Sequence, residues 1–317
     1  MTTQLFLLIL GLSLLIAGSN YLLKSAVDLS IKLNLSKVVI GLTVVSFATS
    51  APELLISISS ALKGSSDIAI SNVLGSNIAN LGLVLGTALC FTSIKIPKSN
   101  IKYDWTFMMF VSILFYFFLK DFVINRIEGL ILFVTLIIFL FFIVKIRKDE
   151  HMDDVVENEK VSNFKILLLL ILSSLLLYFG SELFVKSSIY FANYFGVSER
   201  VIGLTLVAIG TSLPELVTTL VAIYKSELDI SIGNIIGSNI FNILAVIGIT
   251  SLITDLNILS VSILSFDIYV MIFFSFILLI FYLSSKNRFL NIYHGLVYLL
   301  LFITYYLYIA VSYTHLT

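Results

Sequence analysis

Long apolar stretches constrain this chain more than any other feature of its sequence. Runs of about 18 or more apolar residues recur along nearly all of its 317 residues, which is typical of a polytopic membrane protein. Hydrophobic residues make up 59% of the chain, and charged residues make up 12%, about half their usual share in soluble domains. A net charge of +0 and a single cysteine exclude a nucleic-acid-binding protein and a disulfide scaffold.

Charged and turn residues divide the chain into ten candidate transmembrane helices. The first apolar run, Leu5 to Leu23, has no basic residue before Lys24, so we interpret it as a retained helix and not as a signal peptide. The sequence therefore predicts an all-α polytopic membrane protein. The predicted spans are residues 4–26, 37–62, 67–92, 103–120, 124–146, 164–190, 199–224, 228–253, 262–284 and 289–312.

The distribution of basic residues predicts how these spans are oriented. If the N-terminus lies outside, 14 of the 19 basic residues fall in or beside cytoplasmic loops and 5 fall on the outer side. The positive-inside rule then favours ten spans with both termini extracellular or periplasmic. The acidic connector 147–163 becomes a cytoplasmic linker between an N-terminal half, 1–146, and a C-terminal half, 164–317. It lacks the alternating ligands and central glycine of an EF-hand loop.

The two halves are related by an internal repeat at an offset of 162 residues. From Val39 to Gly86, 23 of 48 positions are identical to their counterparts, and many identities fall on Thr, Ser, Pro, Glu, Asn and Gly. Shared hydrophobicity would instead concentrate them on Leu and Ile. Each half has five predicted helices, and this odd number makes the second half enter the membrane from the opposite side. Two inverted five-helix repeats are typical of secondary transporters, whose binding site lies near the membrane midplane between the repeats.

Two carboxylates lie deep inside predicted spans, at equivalent positions of the repeat. These are Glu53 and Glu215, and each follows a proline, Pro52 or Pro214. A charge at the bilayer centre costs about 2.5–3.5 kcal/mol or more, so a matched pair indicates a function. The prolines remove backbone donors and predict exposed carbonyls at a cavity. We expect Glu182, whose repeat counterpart is not acidic, at the interface or outside the ligand set.

Polar side chains recur every four residues on the helices that follow, which places them on one helical face. Small residues at Ser71 and Gly75, and at Gly233 and Gly237, have the spacing that lets another helix approach closely. The two polar stripes are Asn72, Ser76 and Asn80 in the first half and Asn234, Ser238 and Asn242 in the second.

The predicted site offers only oxygen ligands, with no histidine or cysteine. Such a set selects hard cations such as calcium, sodium or magnesium. Two carboxylates balance one divalent cation or at least two monovalent ones. Without a cation, two charges would remain uncompensated in low dielectric, which disfavours crossing without cargo and predicts exchange.

The duplicated motifs resemble the alpha repeats of the cation/calcium exchanger superfamily, and in particular prokaryotic sodium/calcium antiporters. Thr-Ser-Ala-Pro-Glu and Thr-Ser-Leu-Pro-Glu stand where proton/calcium exchangers typically carry Gly-Asn-Ala-x-Glu in the first motif. The resemblance implies secondary active exchange of calcium for sodium across the cell membrane by alternating access, with the first and sixth helices sliding over the rest. It implies calcium, sodium and the lipid bilayer as partners, no cofactor and no enzymatic activity.

The resemblance also implies a set of ion ligands. Asn242 stands where potassium-dependent and some archaeal relatives carry Asp, which argues against potassium cotransport, and Ala48 replaces the glycine found at Gly210. The implied ligands are Thr49, Ser50, Glu53, Ser76 and Asn80 in the first half, Thr211, Ser212, Glu215, Ser238 and Asn242 in the second, and the carbonyls of Ser46 and Ala208.

Three alternatives to a sodium/calcium antiporter remain open. A proton/calcium antiporter could use the same fold. An intramembrane hydrolase could use the two glutamates as acid and base, but it would not explain why every ligand is duplicated. A cation channel would be expected to form a symmetric pore and not a closed cage with two glutamates.

Overall fold

The fold was analysed in a computed structural model, which describes residues 1–147, 162–196 and 208–312. A short helical turn, Ala208–Gly210, precedes the helix that begins at Leu213. The main helices in these ranges are α1 (Thr2–Leu33), α2 (Lys37–Thr49), α3 (Ala51–Leu62), α4 (Ser66–Phe91), α5 (Asn100–Leu119), α6 (Arg126–Ile146), α7 (Asn163–Tyr194), α8 (Leu213–Tyr224), α9 (Leu228–Ile253), α10 (Ile263–Ser284) and α11 (Ile292–Ser312).

The helices identify a multi-pass membrane protein. Among the described residues, 8 helices are long and apolar enough to cross a membrane, and the bent pair α2–α3 makes up to 9. The predicted span 199–224 is described only from Ala208 onwards, and α8 has 12 residues, too few to span alone. Ten spans therefore stay a prediction. The predicted linker lies outside the described residues over 148–161, as does the chain after Ser312.

Short strand pairs, which the sequence analysis did not predict, join loops of the two halves. Strand β1 (Ile94–Lys95) pairs antiparallel with β4 (Phe289–Leu290), and β2 (Val123–Ile124) pairs antiparallel with β3 (Leu256–Asn257). Each strand has only two residues, too short for a recognisable alternating pattern. In the described part of the chain, the membrane-crossing segments are thus helical and β pairing is confined to the connections.

Helices α1 and α7 are longer than their predicted spans. Each has 32 residues, about 48 Å at 1.5 Å per residue, which exceeds a hydrocarbon core of about 30 Å. They pack against each other through glycines. A Cβ on Gly11 would lie 2.7 Å from the nitrogen of Phe184, and one on Gly180 would lie 2.8 Å from the nitrogen of Leu15. This crossing therefore requires glycine on both helices.

The predicted helix 37–62 is broken at its proline motif. Ser50 separates α2 from α3 with ψ near 3°, and the two helices meet at an angle of 43°. Pro52 lies in the first turn of α3, where its missing N–H breaks no helical hydrogen bond. Pro214 has the same place in α8. The prolines thus begin new helices, whereas the sequence analysis placed each of them inside one continuous predicted span.

Helices α4 and α9 form the centre of the molecule. In their most apolar windows, 78% and 89% of the residues are buried, against 28% for α1 and α7. Each contains a π-helical stretch at the same repeat position, Asn80–Leu85 in α4 and Asn242–Ile247 in α9. π-helical turns interrupt regular helices most often at functional sites. Both stretches begin at a predicted ligand.

Candidate cation site between the repeats

The two intramembrane glutamates begin helices. Glu53 and Glu215 lie in the first turns of α3 and α8, where unpaired backbone N–H groups favour a negative charge. Both side chains are fully buried. Ser76 Oγ donates to Glu53 Oε1 at 3.3 Å, and Ser50 Oγ donates to Glu215 Oε1 at 3.4 Å. The helix breaks therefore place each carboxylate at the positive end of a helix.

The second oxygen of each carboxylate is buried and has no hydrogen-bond partner among the described residues. Buried charges are normally paired or bound to a cation, because an unpaired polar atom in low dielectric is costly. The arrangement of Glu53 and Glu215 is therefore suited to binding cations.

Hydroxyl groups join the two halves around these carboxylates. Ser76 Oγ lies 3.2 Å from Thr211 Oγ1, and Thr49 Oγ1 lies 3.3 Å from Ser238 Oγ. Ser50 bonds Glu215 across the same boundary. Each of these pairs takes one residue from the first repeat and one from the second. The candidate site thus lies at the repeat interface.

The two asparagines that begin the π-helical stretches are fully buried. Asn242 Nδ2 donates to Asn77 Oδ1 at 3.0 Å, while its own Oδ1 has no partner in the described part of the chain. Neither amide atom of Asn80 has a partner there. Two buried amide oxygens, of Asn80 and Asn242, therefore add to the unpaired carboxylate oxygens as candidate ligands, whereas the Asn80 nitrogen is a donor.

The remaining predicted ligands differ in what surrounds them. The Ser46 carbonyl already accepts the N–H of Ser50 at 2.9 Å and the hydroxyl of Thr49 at 3.3 Å. Ser212 is fully buried, and its hydroxyl has no partner within the described ranges. Ala208 begins the short turn before α8.

Two functional candidates were missed by the sequence analysis. Asn234 was placed on a polar stripe but not among the ligands, yet its Oδ1 accepts from Thr49 at 3.2 Å and from Ser238 at 3.4 Å. Asn77 was not considered, because the four-residue spacing selects a different helical face. Its duplication as Asn239, at the offset of 162, is the signal that could have found it.

A third buried carboxylate lies in α5. Asp104 is fully buried and accepts a hydrogen bond from the guanidinium of Arg147 at 2.9 Å. Arg147 also donates to Asn100 Oδ1 at 2.8 Å. The predicted linker was expected to be solvated, but its first residue, Arg147, is fully buried and packs with the first half.

One side of the candidate site opens to a cavity of about 700 Å³, which extends to Thr211. Glu182 lies on the wall of this cavity. Its carboxylate forms an ion pair at 2.6 Å with Lys186, one turn further along the same helix. The cavity is also lined by Pro52, Gly75, Ser181 and Gly210.

The repeat-equivalent positions on the other side are tightly packed. A Cβ on Gly237 would lie 2.6 Å from the Leu42 carbonyl oxygen, whereas one on Gly75, its repeat counterpart, would meet nothing closer than 3.9 Å among the described residues. Ser19 Oγ lies 3.0 Å from Thr218 Oγ1 and joins α1 to α8. The small-residue spacing thus produces close helix contact in the second half but lines a cavity in the first. Among the described residues, a cavity therefore lies on one side of the site and close helix contacts lie on the other.

Comparison with known proteins identifies the family. The profile described as sodium/calcium exchanger protein matches residues 3–145 and 165–311. This chain belongs to the sodium/calcium exchanger family. The family match supports cation/calcium exchange as the general activity of this exchanger-family protein.

Individual relatives match nearly the whole length of this exchanger-family protein. It is 37% identical over 305 residues to the putative antiporter CaxA of Alkalimonas amylolytica, covering 94% of this chain and 95% of that protein. It is 35% identical over 326 residues to the sodium/calcium exchanger MaX1 of Methanosarcina acetivorans, covering 88% and 91%.

The fold matches that of a solved exchanger. A structure of the sodium-calcium exchanger NCX_Mj, soaked with zero Na⁺ and Ca²⁺, superimposes with a TM-score of 0.80 at 31% identity. The match covers 95% of this chain and 97% of that one. The exchanger-family protein is therefore similar to a sodium/calcium exchanger in both sequence and fold.

Proposed function

We propose that this protein is a secondary active antiporter that exchanges calcium for sodium across the cell membrane by alternating access. The observation that carries the proposal is the pair of fully buried glutamates, Glu53 and Glu215, one from each repeat, linked by hydroxyls across the repeat interface. The oxygens left without partners among the described residues are the atoms that would bind the cation. No cofactor takes part.

The proposed architecture is ten spans in two inverted five-helix repeats, 1–146 and 164–317, joined by the cytoplasmic linker 147–163. Both termini lie outside the cell. The repeat offset of 162 residues and the matching π-helical stretches support this arrangement. Because each repeat has five helices, an odd number, the second repeat begins on the opposite face of the membrane. The two repeats are therefore inverted relative to each other.

The proposed ligands favour calcium and sodium for reasons of charge. Glu53 and Glu215 together neutralise one divalent cation, while Asn80 and Asn242 contribute neutral oxygens. Hydroxyl, amide and carboxylate oxygens suit both hard cations, so the same site can hold them alternately. The ligand set is completed by Thr49, Ser50, Ser76, Thr211, Ser212, Ser238 and the carbonyls of Ser46 and Ala208.

Calcium uptake into proteoliposomes tests the proposal. Vesicles that contain the purified protein are loaded with sodium and diluted into sodium-free, potassium-free medium with labelled calcium. We expect rapid uptake that disappears when sodium is also present outside or when the protein is omitted. The absence of sodium-dependent uptake from well-folded protein would contradict the proposal.

The same vesicles separate the alternatives. A proton/calcium antiporter would take up calcium when a pH gradient is imposed without sodium. A channel would let calcium equilibrate without any counter-ion gradient. An intramembrane hydrolase would show no coupled flux at all.

A further inference from the structure

The amide of Asn77 is held in one orientation by a backbone carbonyl. Asn77 Nδ2 donates to the carbonyl oxygen of Asn239 at 3.2 Å and also faces Met271 Sδ at 3.5 Å. A backbone carbonyl can only accept a hydrogen bond, so the nitrogen end of the amide must face Asn239. Asn77 Oδ1 therefore points away from that carbonyl and acts as an acceptor.

This orientation determines the orientation of Asn242. Because Asn77 Oδ1 only accepts, Asn242 must turn its Nδ2 towards it, and the two atoms lie 3.0 Å apart. Asn242 Oδ1 is then the end of the amide that is not used, and it is buried without a partner in the described structure. Asn242 follows Ser238 by one helical turn, and its backbone N–H donates to the Ser238 carbonyl. Ser238 in turn contacts Thr49 across the repeat interface.

The repeat-equivalent pair is arranged differently. Asn239, the counterpart of Asn77, donates its Nδ2 to the Ile235 carbonyl of its own helix at 2.7 Å. It makes no hydrogen bond to Asn80, whose two amide atoms both lack partners within the described ranges. The sequence repeat is symmetric at these four asparagines, but the hydrogen bonding is not. Of Asn80 and Asn242, only Asn242 has its amide oriented by a hydrogen bond to another asparagine side chain.

We propose that Asn77 is a positioning residue that makes Asn242 present its oxygen, and not its amide nitrogen, to the transported cation. A cation binds an amide oxygen and is repelled by the NH₂ end, so a freely rotating amide would be a weaker ligand. Asn77 therefore acts on cation affinity through Asn242 without touching the cation. This inference rests on the proposed function, because it assumes that Asn242 is a ligand.

A double-mutant cycle tests the inference. Purified Asn77→Leu, Asn242→Ala and the double variant are compared with the original chain for half-saturating calcium and sodium concentrations and for maximal uptake rate. We expect Asn77→Leu to raise the half-saturating concentration about 10-fold or more for the cation that Asn242→Ala weakens, as for other groups that orient a metal ligand. In the Asn242→Ala background, Asn77→Leu should have no further effect on that concentration.

Asn239→Leu is the matched control, because it removes the equivalent amide in the other repeat without touching Asn242. It should leave the half-saturating concentrations within about twofold, which separates orientation of Asn242 from loss of a buried amide. The melting temperature without cations is measured for every variant. If Asn77→Leu does not fold, Asn77→Ser takes its place, since a serine side chain is too short to span the 3.0 Å contact.

Each outcome decides a different question. Independent effects that multiply in the double variant overturn the positioning role of Asn77. An unchanged affinity in Asn242→Ala also overturns it, because Asn242 would then not be a ligand. If the original chain shows no sodium-dependent calcium uptake, it is the proposed function that fails, and calcium binding to the same variants still tests Asn77 directly.

Discussion

At the scale of residues, Glu53 and Glu215 carry the charge of the proposed site. Both lie in helix first turns, so the energetic cost of burying them is reduced by backbone N–H groups as well as by the Ser76 and Ser50 hydroxyls. Neither carboxylate has a basic partner among the described ion pairs. A divalent cation is a partner with the charge needed to balance both.

We predict that Glu53→Gln or Glu215→Gln lowers sodium-driven calcium uptake to the level of protein-free vesicles. Either change keeps the size of the side chain but leaves a single negative charge for a divalent ion. Initial uptake rates in proteoliposomes check this. Glu182→Gln is the matched control, because the Glu182 carboxylate pairs with Lys186 on the cavity wall. We expect this variant to keep its calcium uptake. Near-normal uptake in both site variants would rule out the two-carboxylate site.

At the scale of elements, the two repeats have similar sequences but different packing. Helix α1 is bonded to α8 through Ser19 and Thr218, whereas the equivalent surface between α7 and α3 lines the cavity. The repeat counterpart of Thr218 is Ile56, which has no hydroxyl. The bond can therefore form on one side of the molecule only. We infer that it favours the state described here over the oppositely open state.

We predict that Thr218→Val lowers the population of the conformation described here, relative to the conformation open on the opposite side, about fivefold. The reason is that one buried hydrogen bond contributes about 1 kcal/mol. Spin labels on α1 and α8, placed in a variant without the single cysteine Cys90, measure the two populations by their distances. Thr135→Val is the control, since that exposed hydroxyl bonds only its own helix at Ile131. An unchanged ratio in Thr218→Val would contradict the inference.

At the scale of the whole molecule, the proposed topology places the cavity on the outer side. Basic residues concentrate on the opposite side, 14 of 19 by the sequence count. The cavity is lined by Asp67 and Ser260, which both fall in predicted outer regions. In the described part of the chain, the cavity would then face the outside, and the close helix contacts would lie towards the cytoplasm.

We predict that a cysteine introduced as Asp154→Cys, in a variant without Cys90, is not labelled by an impermeant thiol reagent in intact cells. It should react after the membrane is permeabilised, because residue 154 lies in the proposed cytoplasmic linker. Lys63→Cys is the matched control and should react from outside, since it follows α3 on the proposed outer side. Labelling of residue 154 in intact cells would refute the orientation.

Much of the architecture could be predicted because it depends on local patterns. Hydrophobic runs predicted a multi-pass helical protein, which the structure and the family match bear out. The repeat at a fixed offset of 162 residues predicted that the two glutamate motifs meet. Hydroxyl contacts between the halves connect the two motifs in the structure. The short β1–β4 pairing could not be predicted, because two residues with no alternation carry no periodic signal.

The sequence by itself determined the membrane setting, the repeat and the chemical type of the site. Polar groups inside an apolar span are energetically costly, so they can be recognised from the sequence alone. Only the tertiary structure decided that the prolines begin new helices and that Asn242 and not Asn80 is oriented by a neighbour. It alone also decided that α3 and α7 line a cavity, while the equivalent helices α8 and α1 are bonded to each other. The physical reason is that these features depend on which side chains from distant parts of the chain meet. Two repeats that are identical at 23 of 48 positions cannot reveal by themselves which of them holds which conformation.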